Sequence, residues 1–179
     1  MTEVLLGLGS NKSSGGIEPL ELLARACKSL RGFVSDIRFS SIYETEPMYV
    51  AEQDKFLNMA ALCTVPDTLT PFAMLDFIHE VEAIYGRDRS KEVRFGSRPL
   101  DIDIEEFGNI KLDTPSLQIP HPRMHERQFV LLPALEILKD SADSVLRKKL
   151  LSYLKVLPEQ GAAKCSVEIQ KHFIELLNS

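Results

Sequence analysis

Hydrophobic residues along this 179-residue chain change period several times, and each change marks an element. Val4 to Gly9 is a short apolar run closed by glycine, serine and asparagine, the pattern of a buried strand leading into a loop through Gly15-Gly16. Leu20, Leu23, Ala24, Cys27 and Leu30 then recur at helical spacing, with Pro19 at a first-turn position and Gly32 just past the expected end. Phe33, Ile37, Phe39 and Tyr43 alternate with more polar neighbours, and Phe56 to Val65 is a second extended run beyond a long loop from Glu44 to Lys55. Pro71 opens a second helix, in which Met74, Phe77, Ile78, Val81 and Tyr85 keep the helical register as far as Gly86. Leu100, Ile102 and Ile104 alternate with acids in a further strand. The order β-α-β-β-α-β predicts an α+β fold, a ferredoxin-like sheet with helices packed on it. Phe129 to Leu138 and Ser144 to Leu154 are expected to cover the sheet's remaining flank. A last helical pattern at Ile169, Phe173, Leu176 and Leu177 would dock on the domain, mediate self-association or begin a linker. One domain is expected, with residues 1–140 as its core and 141–179 as a C-terminal helical extension.

A composition of 44% hydrophobic and 26% charged residues is that of a globular chain able to bury a core. The net charge of -5 argues against nucleic acid or an anionic membrane as the main partner, so any anion site must be local. No apolar run approaches the roughly 18 residues needed to span a bilayer, and Met1-Thr2-Glu3 lacks the basic start of a secretory signal. The cytoplasm is therefore the default location, and a monomer is the expected state. Cys27, Cys63 and Cys165 are scattered, without a C-x-x-C pair, and read as reduced thiols of the core or tail.

Against the acidic background, Arg87, Arg89, Lys91, Arg94 and Arg98 crowd one loop between Gly86 and Arg98. Arginine pairs bidentately with phosphate oxygens, so such a loop could clamp a polyphosphate as it closes, or it could be a merely solvated basic face. The next strand puts Asp101 and Asp103 on one side, because alternate residues share a face and stand about 6.6 Å apart. Paired acids suit magnesium, which combines one or two protein carboxylates with substrate phosphates, although an acidic solvent face would look the same. Adjacent cations and acids together suggest a nucleotide-dependent transferase. Neither the P-loop nor the dinucleotide glycine pattern is present around Gly7-Leu8-Gly9-Ser10-Asn11-Lys12. Asn58 lies in a mostly apolar run, where its amide would read a polar heterocycle or bond a neighbouring loop. Phe129 could stack on such a ring or belong to the core, and Pro120-His121-Pro122 with Arg127 offers a second phosphate contact. His79 and Glu82 share a helix face. A metal-dependent phosphohydrolase and a non-catalytic binding module remain alternatives at this level.

Taken together, Gly9-Ser10-Asn11, Ser41-Ile42-Tyr43-Glu44-Thr45, Phe56-Leu57-Asn58, Gly86-Arg87, Arg98-Pro99-Leu100-Asp101-Ile102-Asp103 and Ile119-Pro120-His121-Pro122-Arg123-Met124, continuing to Arg127-Gln128-Phe129, resemble the 6-hydroxymethyl-7,8-dihydropterin pyrophosphokinases of folate biosynthesis. The resemblance runs from Val4 to about Leu138. It implies transfer of the β,γ-diphosphoryl unit of ATP, the co-substrate, to the hydroxymethyl oxygen of the reduced pterin, with release of AMP. It implies two Mg2+ ions held by Asp101 and Asp103, with Arg87 and Arg98 as catalytic loop arginines. His79, Arg89, Arg98, Ile104, His121 and Arg127 would contact ATP, and Glu82 would be a helix acid near the metals. Thr45, Glu46, Met48, Phe56, Asn58, Phe95 and Phe129 would form the pterin site. The chain departs from the family pattern it resembles in carrying Phe56 and Pro122 where tyrosines stand, and Ser116 where an arginine stands.

Overall fold

The computed structural model describes residues 1–46, 54–90, 96–138 and 144–179. Its centre is an antiparallel sheet built on β1 (Thr2–Ser10), β4 (Phe56–Val65) and β5 (Asp101–Phe107). β1 lies between β4 and β5, with Gly9 opposite Asn58 on one side and Asp101 on the other. The outer edge of β4 carries two short strands in succession, β2 (Ser35–Phe39) along its far end and β3 (Tyr43–Thr45) along Phe56 to Asn58. Counted without the split, the strand order is that of the ferredoxin-like β-α-β-β-α-β unit. A further short strand, β8 (Ala163–Lys164), extends the edge beyond β3, and β6 (Leu112–Asp113) with β7 (Gln118–Ile119) forms a separate hairpin. The Ile119–Pro120 peptide is cis.

Alternation in β1 divides the interior in two. Val4, Leu6 and Leu8 point to α1 (Pro19–Phe33) and α2 (Pro71–Ile84), joined there by Phe173 and Leu177 of α5 (Val167–Asn178). Leu5, Ala60 and Leu62 point the other way, to α3 (Gln128–Ile137) and α4 (Val145–Leu154). The expected cover for the second flank is therefore found, and the last helical pattern docks on the sheet's first face rather than standing free. Helix starts have local causes: Pro71 follows Thr70, whose Oγ1 accepts from Ala73 N–H at 3.2 Å, and Ser144 and Ser166 cap α4 and α5 in the same way.

Two boundaries differ from the sequence expectation. α1 runs through Gly32 to Phe33, whose ring stacks on Phe77 of α2 with centroids 3.8 Å apart; tertiary stacking outweighs the helix-ending tendency of the glycine. The single strand expected from Phe33 to Tyr43 is broken at Ser40 to Ile42, where Ser40 Oγ accepts from Ala60 N–H at 2.9 Å in place of a regular ladder bond. All three cysteines are free thiols, Cys27 and Cys63 inside the core.

Candidate active site

α3 and α4 cover only part of their face of the sheet. Beyond them β1 presents Gly7 and Gly9, so no side chain rises from the central strand between Asn58 on β4 and the acids of β5. Both glycines are required by close approach. A Cβ on Gly7 would stand 2.9 Å from Glu105 Oε1, and one on Gly9 would stand 3.0 Å from Asn58 Oδ1. With neighbouring strands about 4.8 Å apart, Asn58 and Asp101 face each other across a bare strip about 10 Å wide.

Asn58 is buried and held by its Nδ2, which donates to Thr45 Oγ1 at 2.7 Å. Phe56 stands two residues before it on β4, and Glu46 follows the end of β3. Glu46 is exposed and pairs with Lys55, while Phe129 stands in the first turn of α3 with the Arg127 guanidinium 5.6 Å from its ring centroid. Met48 and Phe95 lie outside the described residues, as do Lys91 and Arg94 of the basic loop.

On the other side of β5, the outermost strand, is a cavity of about 240 Å³ lined by Leu75 and His79 of α2, Arg89, Ile102, Asp103, Ile104 and the segment from Thr114 to Pro122. Ser116 and Pro122, both departures from the pattern the sequence resembles, line it. The free edge of β5 is consumed there: Ile102 N–H donates to Glu82 Oε1 at 2.8 Å, and His121 N–H donates to Glu105 O at 3.0 Å. Burial, helped by Arg89 and Arg87, lowers the pKa of His79.

Asp101 and Asp103 stand on the strand that separates bare strip from cavity, and arginines from three places meet them. Arg87 bridges Glu82 and Asp101, Arg89 pairs with the other oxygen of Glu82, and Arg98 Nη1 donates to Asp101 Oδ2 at 2.7 Å. Arg127, just before α3, donates to Asp103 Oδ2 at 3.2 Å, and His121 Nε2 lies 3.8 Å from the same oxygen. The Gly9-Ser10-Asn11 turn fixes this geometry from behind. Ser10 Oγ donates to Pro99 O, and Asn11 Oδ1 accepts from Arg98 N–H at 2.8 Å. Gly86 has φ +92° and packs against Ser14 where a Cβ would overlap its Oγ, so the chain can turn into Arg87.

The acids are tuned apart. Burial works against the charge of Asp101, but Arg87 and Arg98 outweigh it and hold the carboxyl below its ordinary value. Burial and the neighbouring Asp101 push Asp103 up to about 6 against the pull of Arg127. Burial, with Arg127 beside it, lowers His121 to about 4. Sequence reasoning missed Glu105, which completes the row. A bulge at Leu5/Leu6 turns both Glu105 and Glu106 to the Asp101 face. Glu105 is fully buried, neither oxygen is hydrogen-bonded, and burial with Asp103 beside it pushes its pKa well above the carboxylate range. The signal for it was the third acid in the alternating run, set opposite glycines.

The donor set suits magnesium. Asp103 is 36% exposed, with one oxygen unbonded, and Asp101 is bonded only to arginines that can turn to phosphate. Among the described residues no group of three or more His, Cys, Asp or Glu side chains is placed to hold a metal ion.

Carboxylates and arginines so paired, between a sheet face and an edge cavity, are what a metal-dependent phosphotransferase requires. Comparison with known proteins narrows the class. The profile of the 7,8-dihydro-6-hydroxymethylpterin-pyrophosphokinase (HPPK) family matches residues 5–139. A Bacillus subtilis 2-amino-4-hydroxy-6-hydroxymethyldihydropteridine pyrophosphokinase is 41% identical over 132 residues, covering 74% of this chain and 75% of its own. The Haemophilus influenzae protein of that name is 33% identical, covering 78% and 84%. A mitochondrial folate synthesis bifunctional protein of Arabidopsis thaliana is 35% identical over 79% of this chain, which spans only 24% of that protein. The fold matches an HPPK-DHPS crystal structure with a TM-score of 0.62 at 15% identity, over 87% of this chain and 46% of the other. The chain belongs to the HPPK family.

Proposed function

We propose that this protein transfers the diphosphoryl unit of ATP to the hydroxymethyl group of 6-hydroxymethyl-7,8-dihydropterin in folate biosynthesis. The observation that carries the reading is the position of Asp101 and Asp103 on the one strand shared by the Asn58 strip and the edge cavity. The pterin lies on the strip, held by Asn58, Thr45, Phe56 and Phe129 with Glu46, Met48 and Phe95 at its margin. ATP fills the cavity, touching His79, Arg89, Ile104, His121 and Arg127. The hydroxymethyl oxygen attacks the β-phosphorus, the bond from that phosphorus to the α,β-bridging oxygen breaks, AMP leaves with that oxygen, and the hydroxyl proton is lost to solvent.

Phosphoryl transfer asks for in-line positioning and neutralisation of charge rather than covalent help from the protein. Two Mg2+ ions held by Asp101 and Asp103 would supply that neutralisation and lower the pKa of the attacking hydroxyl. Arg87 and Arg98 leave Asp101 for phosphate oxygens, and Arg127 does the same from Asp103. Glu82 stays in place, receiving Ile102 N–H and keeping Arg87 aimed across the strand end. His121, lowered to about 4, is neutral at physiological pH and serves as a hydrogen-bonding contact rather than a cation.

Residues 141–179 belong to the same domain, and the protein acts as a cytoplasmic monomer. No helix among the described residues is long and apolar enough to cross a membrane. Mass-resolved product analysis with ATP, magnesium and the dihydropterin tests the reading. AMP and pterin diphosphate formed together are expected, and nucleotide consumed equally without the pterin would overturn it in favour of a hydrolase.

A further inference from the structure

We propose that the C-terminal segment of β8 and α5, acting through Gln170, is a positioning element for the pterin half of the site. This rests on the function just proposed, and it concerns residues beyond the span of the family profile, which ends at 139.

β3 is three residues long and is the strand that carries Thr45. So short a strand at a sheet edge frays readily unless something covers its outer groups. The break that precedes it is gripped by one side chain. Ile42 is fully buried; its N–H donates to Gln170 Oε1 at 2.9 Å, and its carbonyl accepts from Gln170 Nε2 at 2.8 Å and from Cys165 N–H at 2.9 Å. The amide thus reproduces a strand partner for a single residue. Immediately beyond it β8 takes the outer edge, with Tyr43 opposite Lys164 and Glu44 opposite Ala163.

Glu136 of α3 ties the same corner from the opposite side. It accepts from Ser41 Oγ at 2.7 Å, Tyr43 Oη at 2.8 Å and Lys164 Nζ at 3.2 Å. Gln170 does not float: Phe173, three residues on and therefore on the same helix face, is buried in the core with Leu177. The grip passes along β3 to Thr45, whose Oγ1 receives the Asn58 amide at 2.7 Å. That bond sets which edge of the Asn58 amide is left for a ligand. A slip of β3 along β4 would break it, while the cavity lies beyond β4, β1 and β5 and would be unchanged.

The test uses the full chain and two variants, Gln170→Leu and Gln170→Glu, the second keeping an acceptor for Ile42 N–H but losing the donor to its carbonyl. Calorimetric binding and steady-state kinetics are read for each substrate separately, with amide exchange at Tyr43 to Thr45. Q170L is expected to weaken dihydropterin binding by about fivefold or more with nucleotide binding held within about twofold, and Q170E to fall between it and wild type. Equal loss for both substrates, or lowered thermal stability with pterin affinity intact, would overturn the proposal. Should the wild type bind no dihydropterin, the functional reading fails by itself. The clamp is then judged on exchange alone: about tenfold faster exchange at Tyr43 to Thr45 in Q170L upholds it, and unchanged exchange overturns it.

Discussion

Asp101 and Asp103 are neighbours on one strand face with opposite electrostatic surroundings, and that contrast sets their consequences. Replacing either by Ala is expected to lower kcat by about a thousandfold or more, with the circular dichroism spectrum unchanged, since neither carboxylate belongs to the apolar core. Their stability effects differ. The folded protein binds the Asp103 proton more tightly than the unfolded chain does, because its pKa is raised to about 6. The resulting stabilisation is therefore present below the ordinary carboxylate range and is lost as pH rises through about 6. Asp103→Asn removes that loss, and the metal-free variant is expected to exceed wild type by about 1 kcal/mol at neutral pH, after discounting for the exposure of the side chain. Urea unfolding of both proteins at about pH 5 and 7.5 checks it, and the gain should fall by about half at the lower pH. Asp101 and His121, whose values are lowered, run the other way in both proteins.

β5 is the element on which most of the site depends, and its bulge is the part alternation could not reveal. A strict period of two turns Glu106 to the helix-covered side with Ile102 and Ile104; the register shift instead leaves it facing Leu5, paired with Lys149 of α4. Gly7 is the complement of the bulge. Gly7→Ala is expected to destabilise by about 1–3 kcal/mol, because Glu105 is enclosed and has nowhere to withdraw. Adding Glu105→Ala should restore part of that loss, and a double-mutant cycle in thermal unfolding measures the coupling. The sequence made the strand order, both long helices and the Asp101–Asp103 pair legible, because period, caps and spacing are local signals. It did not disclose the break at Ser40 to Ile42, the extension of α1 to its stacking partner Phe77, or the β8 edge. Each of these depends on a contact far along the chain.

At the scale of the whole molecule, one sheet serves two purposes, packing helices on one face and leaving part of the other bare for chemistry. α4 is tied to that second face by Lys149, whose partner Glu106 is 6% exposed. Lys149→Met is expected to cost about 2–3 kcal/mol in chemical denaturation, because it strands a buried carboxylate, while leaving the KM for ATP unchanged. The interlocked arginines and acids at the strand end also have a thermodynamic meaning. In the resting protein these opposite charges satisfy one another, so a triphosphate arriving alone would strip the carboxylates of their partners, and a divalent ion arriving alone would do the same to the arginines. Each ligand relieves the imbalance the other creates. On the proposed function, nucleotide and magnesium would thus be heterotropic activators of one another's binding, each raising the other's affinity by the same factor.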